Sequence, residues 1–398
     1  MTGDFEGRAM VADPAVAYEP VASFVIPVHN NGAYLDAALR SARAQTVHDL
    51  EIIVVDDGST DGSLAIAQRH AAEDPRVRVV AQVHLGLSEA RNHGLRLARA
   101  KWVALQDADD ISLPARVERQ LAFLREHPDV AALGTYGWRI GVDGRRLSVQ
   151  DIGPRDRAHL AQICARGEAI WLNTSSTMLS RDLVLQLGGF RSMYGVAEDV
   201  ELWTRLADDH LVLALPERLH EYRIHRASVS MTRFFEQMEQ WLQIQVNATR
   251  RRSGEPELDL ASFRSWQRSR PLPERLLRAA TWRSRYCYRM AGARLIDHDP
   301  RGLLWLAAAW VVAPNVPLGR LHRQMLPWLA DGPGSPLPRR GPRRLGASDP
   351  RPVLEREQPA TRRMVHRGRR AGAGGGSAHV RLEHGSGWVD GDTLSNHG

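Results

Sequence analysis

Two short apolar runs that end in acidic residues constrain the fold of this chain more than any other feature. Residues 50–55 lead into Asp56 and Asp57, and residues 102–105 lead into a second acidic cluster at 107–110. Both runs have the length and the apolar content of buried strands. Because open α/β sheets bind ligands at the carboxyl ends of their strands, the two clusters are predicted to share one edge of a sheet. A divalent cation there would offset their repulsion of an anionic ligand.

Helix-like segments separate these runs, and the alternation is typical of an α/β protein. A mostly parallel sheet with helices on both faces is therefore expected. Asp143 and Gly144 form a strong turn pair, so residues 139–149 are predicted to be a hairpin. The predicted strands are 23–28, 50–55, 77–81, 102–105 and 130–134, and the predicted helices are 33–43, 63–72, 88–98 and 114–126.

Composition excludes several other classes of protein. With 398 residues, 43% of them hydrophobic, the chain is long enough for two domains. Cys164 and Cys287 are far apart and form no CxxC pair, so a disulfide framework or a structural zinc site is not expected, and a reducing compartment fits. Residues 1–20 have no apolar core, so a signal peptide is not expected. The net charge is +7, and residues 331–398 hold twelve arginines against seven acidic residues.

The chain changes character after residue 232. Phe234, Met238, Trp241, Leu242 and Val246 have helical spacing, which predicts a helical C-terminal region over 233–330, and aromatic residues and arginines interleave after them. Residues 303–313 are a continuous apolar run, but a membrane span needs about 20 such residues. A buried helix and a helix on a membrane surface both remain open for this run. The N-terminal residues 1–20 and the Arg/Pro/Gly-rich tail 331–398 are predicted to be disordered.

Short motifs along the first half of the chain occur in a specific order. They are VIPVHN at 25–30, QT at 45–46, EIIVVDDGSTD at 51–61, ARN at 90–92, DADD at 107–110, ED at 198–199 and YRIH at 222–225. Their order and spacing resemble those of family 2 glycosyltransferases with the GT-A fold. The resemblance implies one GT-A domain over 21–232, with a nucleotide-sugar half at about 21–135 and an acceptor half at about 136–232. One departure is His84, because the family commonly has asparagine there.

The resemblance assigns one set of residues to the nucleotide sugar. Asp57 is expected to accept a hydrogen bond from the uracil base, since a carboxylate suits an imide N–H. Asp56 is expected to support the loop, and His29 fits either a place beside the base or a structural role. Arg91 would neutralise the diphosphate or orient Asp107. The full set is Pro27, His29, Asn30, Asp56, Asp57, Arg91, Asp107 and Arg223.

The same resemblance implies a metal cofactor, Mg²⁺ or Mn²⁺, at the DxD-type element. Hard cations of this kind prefer oxygen ligands and often bridge a carboxylate to substrate phosphates. Asp109 is expected to contact the metal most directly, and Asp107 to contact the ribose or the metal. His225 would ligate the metal or touch the diphosphate, and Arg223 would pair with phosphate.

The catalytic base is expected in the Glu198-Asp199 pair. Sugar transfer with inversion needs a carboxylate that takes the proton from the acceptor hydroxyl as the hydroxyl attacks C1. Asp199 is the favoured base and Glu198 the second choice. Residues 173–176 resemble a segment that lines the acceptor side, although an ordinary polar strand fits them equally.

The implied activity is that of a hexosyltransferase with a UDP-linked donor. The implied acceptor is a saccharide or a lipid-linked saccharide, as in cell-surface polysaccharide synthesis. The arginine and aromatic content of 233–330 suggests peripheral contact with the inner face of a membrane, so the expected location is cytoplasmic. Nucleic acid is not an expected partner.

Other functions of a similar fold fit the sequence less well. A sugar-phosphate nucleotidyltransferase is disfavoured because the N-terminal part has no Gly-rich, Lys-containing triphosphate loop. A non-catalytic binding module is disfavoured because Asp57, Asp107, Asp109 and Asp199 are all present. A redox Rossmann protein is disfavoured because no G-x-G-x-x-G follows the first strand.

Overall fold

The computed structural model describes residues 19–225, 232–296 and 299–315. Their core is one nine-stranded sheet in the order β3-β2-β1-β4-β8-β6-β9-β5, with β7 paired to β6. The strands are β1 (Ala22–Val28), β2 (Leu50–Asp57), β3 (Val77–Gln82), β4 (Trp102–Leu105), β5 (Ile111–Ser112), β6 (Val130–Ile140), β7 (Arg146–Gln150), β8 (Met178–Ser180) and β9 (Leu211–Arg223).

Helices connect the strands and then continue beyond the sheet. Seven belong to the α/β part: α1 (Gly32–Arg43), α2 (Ser63–Glu73), α3 (Leu87–Leu97), α4 (Arg116–Glu126), α5 (Arg157–Ala165), α6 (Arg181–Gln186) and α7 (Glu198–Leu206). Four follow it: α8 (Phe234–Arg252), α9 (Leu260–Ser269), α10 (Leu272–Ile296) and α11 (Gly302–Val312). The α/β fold class and the helical C-terminal region are thereby confirmed. Across the described residues, no helix is both long and apolar enough to cross a membrane.

The first half of the sheet is parallel, because each strand is followed by a helix that returns the chain to the same end. β1 pairs in parallel with β2 and β4, and β2 pairs in parallel with β3. Alternate residues of β1 enter separate cores, since Phe24 and Ile26 pack on one face of the sheet and Val25 on the other. Burial on both faces explains why these strands are continuous apolar runs.

The second half of the sheet is mixed. β8 pairs antiparallel with both β4 and β6, and β5 pairs antiparallel with β9. β6 and β7 form the hairpin that the Asp143-Gly144 turn predicts, and Gly144 has a φ of +80° there. Strand β9 is 13 residues long, and it pairs in parallel with β6 along most of its length.

The predicted domain boundaries remain predictions. The segments expected to be disordered, 1–20 and 331–398, lie outside the described residues except for residues 19 and 20.

A cluster of charges holds the start of β3 to helix α1. The Asp74 carboxylate accepts hydrogen bonds from the backbone and guanidinium of Arg76 and from Nε of Arg43 at 3.1 Å. The hydrogen bonds of Arg76 lower the pKa of Asp74 to about 2, although burial opposes this. An aspartate whose pKa is lowered on folding stabilises the protein above its unfolded pKa, and this stability is lost as the pH falls through the folded pKa.

We therefore expect Asp74→Asn to lower the free energy of unfolding by about 2 kcal/mol at pH 7, with little difference from wild type near pH 2. Urea unfolding of both proteins over this pH range would measure the effect. Asp182→Asn is the matched control, because the Asp182 side chain is 67% exposed. A constant deficit at all pH values would contradict the electrostatic explanation.

Candidate functional site

The parallel register brings the predicted ligand-binding residues to one edge of the sheet. Val28, the last residue of β1, lies opposite Asp56 of β2. His29 then donates a hydrogen bond from Nδ1 to the carbonyl oxygen of Asp57 at 2.8 Å. Asn30 adopts a left-handed backbone with a φ of 51°, and its Oδ1 accepts a hydrogen bond from the Thr60 amide at 2.7 Å. The two loops that follow β1 and β2 are thus locked together.

Asp57 is the best-anchored carboxylate of this edge. Its Oδ1 accepts hydrogen bonds from Gln82 Nε2 at 2.7 Å and from the Leu85 amide at 2.8 Å, and its Oδ2 accepts one from the Gly86 amide at 2.8 Å. Burial opposes ionisation, but these bonds and the charge of His84 outweigh it, so the pKa of Asp57 lies below its usual range. Asp57 is therefore a fixed anionic acceptor at the end of β2.

A pair of stacked histidines covers Asp57. The rings of His29 and His84 are 4.0 Å apart with an interplanar angle of 25°, and His84 Nδ1 lies 2.9 Å from Asp57 Oδ2. Among the described residues, His29, Asp57 and His84 have ligand atoms close enough to hold a metal ion. Sequence reasoning did not assign His84 to the site. The sequence signal that points to it is that His84 stands where the family commonly has asparagine.

Asp56 contacts its own loop. Its Oδ2 accepts a hydrogen bond from the Ser59 amide at 3.1 Å, whereas Oδ1 is buried without a partner among the described residues. Pro27 is buried within β1, one residue before the strand ends, in register with Val55 of β2. It therefore shapes the strand end but presents no polar group.

The acidic loop after β4 brings Asp109 and His225 together. His225 Nε2 lies 2.9 Å from Asp109 Oδ2, and both side chains keep some exposure, 14% and 22%. Arg223 holds the same loop, because its Nε donates to the Asp109 carbonyl at 2.9 Å and its Nη1 donates to the Gly141 carbonyl at 2.9 Å. Arg223 is 6% exposed, so in this structure its guanidinium binds backbone carbonyls.

The charge of this loop favours a bound cation. Burial raises the pKa of Asp110 well above its usual value, and the charges of Asp109 and Asp107 raise it further. One carboxylate oxygen of Asp110 is buried without a partner among the described residues. Three carboxyl groups in one short loop repel one another, and a divalent cation would remove that repulsion. The donor types of this loop therefore suit the metal that the resemblance implies, although the group of ligand atoms within 4.8 Å of one another among the described residues is that of His29, Asp57 and His84.

A buried arginine joins the acidic loop to helix α7. Arg91 is 2% exposed on α3, its Nη2 lies 2.7 Å from Asp107 Oδ1, and its Nη1 lies 2.5 Å from Glu198 Oε1. Its guanidinium also lies over the Phe190 ring at 5.4 Å. Burial opposes the charge, but the surrounding carboxylates of Asp107, Glu198 and Asp199 raise the pKa of Arg91, so it is always cationic.

Comparison with known proteins identifies the family of this chain. The model of glycosyl transferase family 2 matches residues 23–186. An uncharacterized glycosyltransferase of Haemophilus influenzae is 30% identical over 230 residues, which are 55% of this chain and 70% of that protein. The chain belongs to glycosyl transferase family 2. It is therefore a glycosyltransferase, as the resemblance implied.

Other relatives match smaller parts or are more distant. Chondroitin synthase of Escherichia coli is 36% identical over 148 residues, which are 36% of this chain and 22% of that protein. The solved structure of S. aureus TarS 1-349 in complex with UDP-GlcNAc covers 75% of this chain and 92% of that chain, with 18% identity and a TM-score of 0.45.

The two candidate bases of this family 2 enzyme have different surroundings. Glu198 is 3% exposed, and burial raises its pKa to about 7 against the charge of Arg91. Asp199 is only half-buried, and its Oδ2 accepts a hydrogen bond from Thr174 Oγ1 at 2.6 Å. Thr174 begins a short 3-10 turn, Thr174–Ser176, rather than a strand. Of the two carboxylates, Asp199 is the more accessible to an acceptor.

Proposed function

We propose that this family 2 enzyme is a metal-dependent inverting glycosyltransferase. It moves a sugar from a nucleotide-diphosphate sugar, with UDP as the nucleotide, to a hydroxyl of a saccharide or lipid-linked acceptor. The observation that carries this proposal is the Arg91 bridge, since one guanidinium contacts both Asp107 of the acidic loop and Glu198 beside the candidate base. This bridge supports a site in which the donor-binding residues and the catalytic base would lie close together.

The donor would bind along the edge formed by β1, β2 and the acidic loop. Asp57 would accept the imide N–H of the base at Oδ2, which accepts one backbone hydrogen bond, from Gly86, whereas Oδ1 already accepts two. His29 and Asn30 would lie beside the base and ribose. Arg91 would act on the donor through Asp107, which it orients, since the guanidinium itself is buried.

The cation, Mg²⁺ or Mn²⁺, would be held by Asp109 and Asp107, with His225 beside it. When bound, it would offset the charge of the diphosphate leaving group. Arg223 would serve the same loop by fixing the Asp109 carbonyl, in addition to any contact with phosphate.

Asp199 would act as the general base. It takes the proton of the acceptor hydroxyl while that oxygen attacks C1 of the donor sugar and the C1–oxygen bond to the diphosphate breaks. Thr174 would hold the carboxylate in position through its 2.6 Å hydrogen bond. Glu198 would be a positioning residue, because it contacts Arg91 and is shielded from solvent.

The acceptor and the cellular role are proposed on chemical similarity. The match to chondroitin synthase favours a saccharide acceptor, and we propose cell-surface polysaccharide synthesis at the cytoplasmic side of a membrane. In this proposal residues 21–232 form the catalytic domain, with a donor half up to about residue 135, and 233–330 form the helical region.

We expect one of UDP, GDP and dTDP to bind more than about tenfold tighter with Mn²⁺ than without it. Asp109→Asn should abolish this metal-dependent gain, because it removes the charge that holds the cation. Isothermal titration of each nucleotide with and without Mn²⁺ would measure both effects.

Asp209→Asn is the control for the titration, because Asp209 is exposed and follows α7 rather than the acidic loop. Failure of all three nucleotides to bind the folded protein would refute the donor assignment and favour a non-catalytic module. Release of pyrophosphate from a nucleoside triphosphate and a sugar phosphate would instead identify a nucleotidyltransferase.

A further inference from the structure

Helices α10 and α11 form an antiparallel pair beyond the catalytic domain. Ser284 Oγ on α10 donates to the carbonyl of Ala309 at 2.8 Å, near the end of α11. Gly302, at the start of α11, packs closely against Leu295 and the Ala291 carbonyl near the end of α10. The pair is attached to α8 through aromatic contacts such as Phe234 with Tyr286, whose ring centres are 5.6 Å apart.

The outer face of α11 is apolar and exposed. Leu304 is 73% exposed and Val311 is 85% exposed, and a spacing of seven residues places them on one face of the helix. Leu303 is 59% exposed and lies on the same side of the helix. It precedes Ala307 by four residues, about one helical turn, and Val311 by eight residues, about two turns. Single exposed leucines are ordinary, but a continuous apolar stripe marks an interaction surface.

This exposure argues against one of the two interpretations that the sequence left open for residues 303–313, the buried helix. Within α11 only Gly302 and Ala309 are buried, so α11 is not the buried helix of a small domain. Its eleven residues contain no charged side chain. Trp305 and Trp310 are half-buried between the apolar stripe and the rest of the pair, and indole rings favour the boundary between lipid and water.

The neighbouring helix supplies positive charge. α10 has six arginines and one glutamate. Arg275 and Arg283 are exposed, and so is Arg301 immediately before α11. The same helix exposes Leu276 to 61% and thereby extends the apolar surface. Exposed leucines beside arginines are complementary to acyl chains and anionic headgroups, whereas a purely apolar partner would leave the arginines without anions.

We propose that the α10–α11 pair docks on an anionic lipid bilayer, with α11 lying in the plane of the interface. An eleven-residue helix is about 16 Å long, roughly half the thickness of the hydrocarbon core, so it lies on the membrane and does not cross it. The use of this surface to reach a lipid-linked acceptor rests on the proposed function, but the binding itself does not.

Vesicle cosedimentation of the full chain tests the surface. Wild-type protein should bind vesicles that contain phosphatidylglycerol at least about tenfold more tightly than phosphatidylcholine vesicles, and salt should weaken the difference. Leu304→Gln combined with Val311→Gln should weaken binding to both vesicle types by at least about tenfold. Arg275→Gln combined with Arg283→Gln should weaken binding only to the anionic vesicles.

Val21→Gln combined with Val142→Gln is the matched control, since these valines are 41% and 59% exposed on the sheet domain. Three results would overturn the proposal. In the first, wild-type protein does not bind vesicles at all, and in the second, Leu304→Gln combined with Val311→Gln leaves vesicle binding unchanged. In the third result, the wild-type protein is a dimer and the same double variant is a monomer. The second result would assign binding to another segment, and the third would identify a second copy as the partner.

Nucleotide titration of the same variants separates this proposal from the proposed function. Vesicle binding without nucleotide binding would refute the function and leave the surface intact. Nucleotide binding without vesicle binding would refute the membrane surface and leave the proposed function intact.

Discussion

Asp199→Asn is expected to lower kcat by about a thousandfold and to leave nucleotide affinity nearly unchanged. An amide cannot accept the proton of the attacking hydroxyl, and general-base catalysis contributes roughly 10²–10⁴-fold to rate. The side chain keeps its shape, so its hydrogen bond with Thr174, 2.6 Å in the wild type, can persist. Single-turnover kinetics with the donor identified by titration would separate the chemical step from binding.

Glu198→Gln is the informative comparison for this prediction. Glu198 is buried against Arg91, so its amide variant should affect stability and positioning more than proton transfer. A plot of kcat against pH distinguishes the two roles. Loss of the general base removes the fall of kcat at low pH, whereas loss of a positioning residue lowers kcat by the same factor at every pH. If Glu198→Gln removed that fall and Asp199→Asn did not, the base would be Glu198.

Arg91→Met is expected to lower the free energy of unfolding by about 3–5 kcal/mol, because removing one partner of a buried ion pair leaves the other charge uncompensated. Here the stranded group is Glu198, which is 3% exposed and has a pKa of about 7, so the loss is expected above about pH 8, where this carboxyl is ionised. Adding Glu198→Gln should recover a large part of the loss, since the double variant buries no unpaired charge. Urea unfolding of the two single variants and the double variant gives the coupling energy directly.

Arg96→Met is the control for helix α3, because Arg96 is exposed on the same helix. Its effect should stay within about 0.5 kcal/mol. Strictly additive effects of Arg91→Met and Glu198→Gln would show that the two side chains do not share a buried charge network. In that case the bridge that supports the proposed function would lose its energetic basis.

The parallel part of the sheet could be predicted from sequence because its signal is local. A strand buried on both faces must be apolar throughout, and its end is marked where polar residues such as Asp56 and Asp57 begin. Parallel strands joined by helices present their carboxyl ends at one edge, so the approximate neighbourhood of His29, Asp57 and Asp107 follows from the alternation alone. The family resemblance supplied expected roles for these residues.

The second half of the sheet and the partners within the site depended on contacts between distant residues. The pairing of β9 with β6 and the insertion of β8 leave little mark on local periodicity. The Arg91–Glu198 contact joins residues 107 positions apart, and the pattern around Arg91 is equally compatible with a surface arginine. Likewise the stacking of His84 on His29 depends on how two loops meet.

By itself, the sequence determined the α/β class, the strand ends that form the site, and the family. The tertiary structure alone decided which carboxylate stays accessible, which arginine is buried, and that the apolar helix α11 lies at the surface. The physical reason is that strand and helix patterns follow from each residue and its chain neighbours. Burial, ion pairing and exposure depend on groups brought together by the complete fold, so a run such as 303–313 fits a core or a membrane surface equally well until its neighbours are known.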